Sequence, residues 1–291
     1  MEFDSIIKQI KRSNPSIILS GPKGVGKKHL VMEIAKTLLG DDAKQIDSGN
    51  HPSIIMIKPE IDEKGLRKGK DISIDQIRDD VLNKIVFSSH EKKRRFVIID
   101  QAQRLNESSS NCLLKAVEEP PQDTTFFILT PNLHAMLPTI ISRCMVINVP
   151  PIDKHKLAKI VNIDKDHELL DYANGSVSAL KFYLSIEELL NKLKQLLDST
   201  YRPFDTISTV CTCISEELKG NTKAEELENI EYVFSFIMKH LIKRFENGSI
   251  GAEQLASGMK EINKISKKVY LNTQTPLVLE NMILELSLRS V

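Results

Sequence analysis

The run Gly21-Pro22-Lys23-Gly24-Val25-Gly26-Lys27-Lys28 has the spacing of a phosphate-binding loop in every position but the last. In the intact G-x-x-x-x-G-K-[ST] pattern, glycines let backbone N–H groups converge on phosphate oxygens, the lysine neutralises charge, and the final hydroxyl coordinates magnesium. Lys28 cannot do that last job. An ammonium has no acceptor lone pair, and a positive charge about 4 Å from Mg2+ is repelled by on the order of 8 kcal/mol at an effective dielectric near 20. Asp100 ends the apolar run Phe96-Val97-Ile98-Ile99, where a carboxylate reaches a magnesium shell, but the next residue is Gln101 and not glutamate. A neutral amide orients water without accepting its proton, so this pair lacks a general base. Taken alone, Asp100 reads as a cap on the following turn; beside the phosphate loop it reads as part of the same site.

The loop has the setting that such chemistry requires. Ser16-Ile17-Ile18-Leu19-Ser20 before it reads as a buried strand, and His29 to Leu39 after it carries Leu30, Val31, Ile34, Ala35, Leu38 and Leu39 at helical spacing. Ile54 to Ile57 is a second strand, followed by a charged loop from Glu60 to Asp71. Ser73 with Gln76 forms a capping box that opens a helix with the stripe Ile74, Ile77, Val81, Leu82 and Ile85. After the strand ending at Asp100, a helix runs from Asn106 or Ser108 to Val117, where Pro120-Pro121 stops it. Phe126 to Leu129 and Met145 to Ile147 are further strands, separated by a short helix that Pro138 initiates. Apolar strands joined by crossovers predict a five-stranded parallel sheet with helices on both faces and its ligand edge at the strand C-termini.

Composition excludes several classes. A chain of 291 residues, 41% hydrophobic and 27% charged, holds more than one domain and is neither disordered nor a membrane protein. A net charge of +1 provides no global basic excess for nucleic acid. Lys92, Lys93, Arg94 and Arg95 read as a solvated turn ahead of a strand, with phosphate contact as the weaker alternative. The N-terminus has neither a basic start nor a long apolar core, which points to a cytoplasmic protein. The cysteines at 112, 144, 211 and 213 form no Cys-x-x-Cys pair and read as buried free thiols.

Three blocks carry a resemblance: Ile99-Asp100-Gln101-Ala102-Gln103-Arg104-Leu105-Asn106; Asn111-Cys112-Leu113-Leu114-Lys115-Ala116-Val117-Glu118-Glu119-Pro120-Pro121; and Ser142-Arg143-Cys144. They closely resemble the clamp-loader branch of the AAA+ ATPases. His51-Pro52, Ile74-Asp75-Gln76-Ile77-Arg78, Tyr172-Ala173-Asn174-Gly175-Ser176 with Ala179-Leu180, and Asn272 to Leu277 extend the likeness along the chain, towards the bacterial delta prime subunits of DNA polymerase III. The resemblance implies an AAA+ P-loop domain over residues 1–150, a helical lid over 151–184 and an all-helical collar over 185–291. The collar helices are expected at Ile186–Leu197, Phe204–Leu218, Glu225–Arg244, Ala252–Tyr270 and Pro276–Leu288. It further implies that Arg143 is an arginine finger, projecting into a neighbouring subunit's nucleotide site and stabilising charge on the transferred phosphoryl group.

The departures from that family are as informative. Active relatives carry a sensor arginine in the lid motif, where this chain has Val177 and Ser178. Many relatives carry four zinc-binding cysteines between the loop helix and the second strand, and Leu39 to His51 contains none, so no zinc is expected. The sensor position at Thr130-Pro131-Asn132 has two polar candidates and is unassigned. With Gly21, Gly24, Gly26, Lys27, Lys28, Asp100 and Gln101 forming a degenerate nucleotide site, no productive Mg-ATP site is expected. The expected function is an ATPase-inactive clamp-loader subunit. Its implied partners are the gamma/tau motor and delta subunits and, through the complex, the sliding clamp and primed DNA. The alternative is an active gamma/tau-like motor; an unrelated P-loop phosphotransferase fits neither Ser142-Arg143-Cys144 nor the helical last third.

Overall fold

The computed structural model describes residues 3–13, 15–40, 46, 51–59, 71–83, 85, 94–199, 203–220, 223–269 and 275–288. Lys92, Lys93, the Glu60 to Lys70 part of the charged loop, Asn272 to Gln274 and most of the stretch from Leu39 to His51 lie outside them. The chain divides into two compact units, Met1–Pro151 and Ile152–Val291.

In the first unit, β1 (Ile17–Ser20), β2 (Ile54–Ile57), β3 (Arg95–Ile99), β4 (Thr124–Thr130) and β5 (Met145–Asn148) form one sheet in the order β2-β3-β4-β1-β5. All of its pairings are parallel. Side chains alternate between faces. Ile18, Val97, Ile99, Phe126 and Ile128 pack with Ile77, Val81, Leu113 and Val117 on one side. Ile17, Leu19, Phe96, Ile98, Phe127 and Leu129 pack on the other with Ile6 and Ile10 of α1 (Phe3–Ser13) and Val31 and Ile34 of α2 (Lys27–Leu39). Both faces are covered over β1, β3 and β4, which is why these strands read as unbroken apolar runs.

The capping box at Ser73 forms: its hydroxyl accepts from the Gln76 N–H at 3.1 Å, and Gln76 Oε1 accepts from the Ser73 N–H at 3.0 Å. The helix it opens differs from the expected one. A single α turn, α3 (Ile74–Gln76), continues as a π-helix over Ile77–Asn83. Ile77, Val81 and Ile85 are buried at intervals of four residues, a spacing that a wider helix also places on one face. Arg95 is a second correction. It is no part of a solvated turn but the first residue of β3, buried, with Nη1 donating to the Ile85 carbonyl at 2.8 Å. Arg94 donates from Nη1 to the Ile10 carbonyl at the end of α1, at 3.2 Å.

α4 (Glu107–Glu118) is capped by Asn106, whose side chain accepts from the Ser109 N–H at 2.8 Å. α5 (Pro138–Ile141) begins on its proline. The second unit is helical: α6 (Lys154–Val161), α7 (Leu169–Ala173), α8 (Val177–Ser185), α9 (Glu187–Asp198), α10 (Phe204–Glu217), α11 (Lys223–Glu246), α12 (Ala252–Val269) and α13 (Thr275–Leu288). One apolar cluster joins these helices, from Leu157 through Leu180, Leu190, Ile207 and Phe236 to Met282. Among the described residues no helix is long and apolar enough to cross a membrane.

Candidate functional site

The glycines of the phosphate loop meet two demands, backbone conformation at Gly24 and Gly26 and close approach at Gly21. Gly24 and Gly26 have φ of 77° and 90°, the left-handed region that glycine occupies without steric cost, and Gly26 caps α2. Gly21 leaves the end of β1 so close to β5 that a Cβ there would overlap the Val149 carbonyl oxygen. Lys27 folds back on its own loop, donating from Nζ to the carbonyls of Gly21 at 2.5 Å and Pro22 at 2.7 Å. Burial pushes its pKa down, and the Asp100 carboxylate opposes this. Lys28 is exposed to solvent.

Asp100 follows β3 at the same edge of the sheet, and its Oδ1 accepts from the Gln101 N–H at 2.9 Å. Gln101 has φ 55° and ψ 46° and caps a 3-10 turn over Ala102–Arg104. A non-glycine residue in that region is held there against a cost of about 1 kcal/mol or more. Thr130 and Asn132 are engaged with each other. The Thr130 hydroxyl donates to the Asn132 carbonyl at 2.9 Å, and the Asn132 side chain accepts from the His134 N–H at 3.0 Å. In the second unit, Val177 packs against the apolar cluster and Ser178 is a hydrogen-bond partner of the Tyr232 side chain.

The left-handed glycines and retained Lys27 suit a phosphate group. The donor set does not suit magnesium, because position 28 supplies an exposed ammonium where a hydroxyl oxygen is needed.

Arg143 stands apart from this group. Strand register pairs Ile17 with Met145 and Ser20 with Asn148, so the residue two before Met145 lies at the N-terminal edge of the parallel sheet. The loop after Ser20 and Asp100 after Ile99 lie at the C-terminal edge. From Ile17 to Gly21 is roughly 13 Å at about 3.3 Å per residue. The side chain is tied to its own edge, donating from Nε to Glu118 Oε2 at 2.7 Å and from Nη1 to the Thr139 carbonyl at 3.1 Å. Its neighbours fix the segment. The Ser142 hydroxyl closes the α5 turn on the same Thr139 carbonyl at 3.1 Å, while Cys144 packs inward and burial pushes its thiol up to about 12.

A parallel sheet with β4 between the loop strand and the Asp100 strand, followed by a helical second unit, defines a P-loop protein of the AAA+ class. Within that class, the family model for DNA polymerase III, delta subunit, matches residues 2–153, just over half of the chain, and the chain belongs to that family.

It is 31% identical over 140 residues to the DNA polymerase III subunit delta' of Pseudomonas aeruginosa, covering 44% of this chain and 40% of that protein. Identity to the delta' subunit of Bacillus subtilis is 30% over 161 residues, covering 52% of this chain and 46% of that protein. The gamma subunit of Buchnera aphidicola is 27% identical over 195 residues, covering 62% of this chain and 51% of that protein. The chain thus spans about half the length of the curated relatives it matches. Across its whole length it shares the fold of a gamma subunit-related protein from Thermotoga maritima, with a TM-score of 0.59 at 16% identity and complete coverage of both chains.

Sequence reading missed Glu118 and Thr139 as partners of Arg143. Glu118 falls in the Glu118-Glu119-Pro120-Pro121 block, but nothing in its spacing marks a contact 25 residues away. It also missed the polar chain in the second unit. There His240, buried, meets the Tyr172 hydroxyl through Nδ1 at 3.1 Å and Asp198 Oδ1 through Nε2 at 2.9 Å.

Proposed function

We propose that this chain is a clamp-loader subunit of the DNA polymerase III holoenzyme that hydrolyses no ATP itself and lends Arg143 to the ATPase site of a neighbouring subunit. The observation that carries this is the polarity of the sheet: Arg143 is fixed at the strand N-termini, away from its own phosphate loop at the C-termini. An arginine so placed serves phosphate on another chain more readily than on its own. Lys28 without an acceptor, Gln101 without basicity, and Val177 and Ser178 already engaged in the second unit all weigh against turnover in this subunit. In this reading residues 151–184 serve as the lid and 185–291 as the collar that joins gamma/tau and delta subunits into a ring. The assembled ring places the sliding clamp on primed DNA.

A second reading, an active gamma/tau-like motor, draws support from the 27% identity to the Buchnera gamma subunit and from the retained Lys27. The two readings separate in a magnesium-dependent ATPase assay of the isolated chain. The proposal expects no turnover; micromolar Mg-ATP binding with turnover overturns it. Nucleotide binding without turnover is compatible with it, since the loop backbone and Lys27 remain.

A further inference from the structure

We infer that Glu118 is a positioning residue for Arg143, aiming the guanidinium out of the subunit; the inference rests on the reading of Arg143 as a finger acting in trans. Both ends of the contact have fixed backbones. Glu118 is the last residue of α4, where Leu113 and Val117 are buried against the sheet. The Val117 carbonyl accepts from the buried Ser16 hydroxyl at 2.7 Å, pinning the helix end to the entry of β1. On the other side, Ser142 closes its turn on Thr139 and the half-buried Cys144 packs against the apolar cluster, leaving the Arg143 side chain as the movable part.

A guanidinium has five N–H donors. Glu118 takes the one on Nε and the Thr139 carbonyl takes one on Nη1, so among the described residues Nη2 and the second Nη1 hydrogen have no partner within the chain. Those remaining donors form the end of the fork, the part able to grip two oxygens of a phosphoryl group on another subunit. The Arg143 side chain is 35% exposed and Glu118 56%, so the pair sits at the surface, where its value lies in orientation more than in binding strength. Holding Nε reduces the rotamers open to a long flexible side chain, and small misplacements of a catalytic group are costly in rate.

The test is steady-state ATPase of the reconstituted clamp-loader complex carrying wild type, Arg143→Ala, Glu118→Ala, Glu118→Gln or the double Glu118→Ala/Arg143→Ala chain. Glu118→Ala should lower kcat roughly 3- to 30-fold with KM for ATP unchanged. Glu118→Gln should fall between it and wild type, because its amide oxygen still accepts from Nε. The double variant should match Arg143→Ala alone, since Glu118 acts only through Arg143. On the isolated chain, the Arg143 Nε–H resonance should be slowed in exchange in wild type and lose that protection in Glu118→Ala, with the thermal midpoint retained.

The inference alone is overturned if Arg143→Ala lowers kcat and Glu118→Ala leaves it at the wild-type value. It is also overturned if Glu118→Ala raises kcat, as a restraining latch would, or if the double variant loses the product of the two single effects. No effect of Arg143→Ala overturns the finger reading, and the role of Glu118 with it.

Discussion

Replacing Gly21 with alanine drives a methyl group into the exit of β5. The new Cβ would overlap the Val149 carbonyl oxygen, and it would lie 3.0 Å from the carbonyl carbon and 3.3 Å from Val149 Cβ. Two of these atoms are backbone, so no rotamer change relieves the contact and β1 and β5 must separate. Overpacking of this kind costs about 1–3 kcal/mol. The shift also strains the bonds from Val149 N–H to the Ser20 carbonyl at 2.7 Å and from Gly21 N–H to the Thr130 carbonyl at 3.2 Å, each worth about 1 kcal/mol. The expected total is about 3–5 kcal/mol. Gly26 is the control: a Cβ there meets nothing within 4 Å, leaving only the cost of φ 90°, roughly 1–2 kcal/mol. Native-state hydrogen exchange of the β1 and β5 amides reads the difference. Gly21→Ala should exchange on the order of 100- to 1000-fold faster than wild type, with Gly26→Ala between the two. Exchange within threefold of wild type for Gly21→Ala, or a larger effect at Gly26, refutes the packing argument. If it holds, the first glycine of the loop is retained for strand contact and carries no information about nucleotide.

The buried His240 sits among Tyr172, Asp198, Arg244 and Lys194, and burial outweighs Asp198 to pull its pKa below the ordinary value. The unfolded chain therefore takes up the proton first. Stability of the second unit is complete above about pH 6.5 and declines as pH falls from there through the folded-state pKa. All 5 tyrosines lie in that unit, so the urea midpoint read by tyrosine fluorescence should drop between pH 7.5 and 5.5, and His240→Gln should flatten the drop. Burial pushes both Cys144 and Cys211 up to about 12, so at pH 8 iodoacetamide should alkylate them at least about 100-fold more slowly in the native protein than in urea. Lys28→Thr alone should not confer ATP hydrolysis on the isolated chain, because Gln101 still supplies no base; turnover of labelled ATP above background by that variant would show that Lys28 was the sole block.

Strands and helices were legible because burial on both sheet faces writes continuous apolar runs and the helices carry clean stripes. The β2 strand at Ile54–Ile57 and the helices of the second unit fall within a few residues of where periodicity placed them. What periodicity cannot carry is spatial order. Nothing local to β4 says that it inserts between β1 and β3, and so nothing local says how Asp100 and Lys27 share one edge. Arg95 misled for a related reason. A basic run reads as solvated, yet the last of these residues starts a strand and donates from Nη1 to the Ile85 carbonyl. Side-chain partners such as Glu118 with Arg143 and Asp198 with His240 depend on contacts between distant elements, which neither composition nor spacing records.

The central claim, that this subunit gives an arginine and performs no hydrolysis, is met most directly by comparing two substitutions in the reconstituted complex. Arg143→Ala removes the lent residue and Lys27→Ala removes the phosphate lysine of the subunit's own loop. The account predicts that Arg143→Ala lowers the ATPase of the complex while Lys27→Ala leaves it at the wild-type rate. A loss with Lys27→Ala and none with Arg143→Ala would contradict it and mark this chain as a motor.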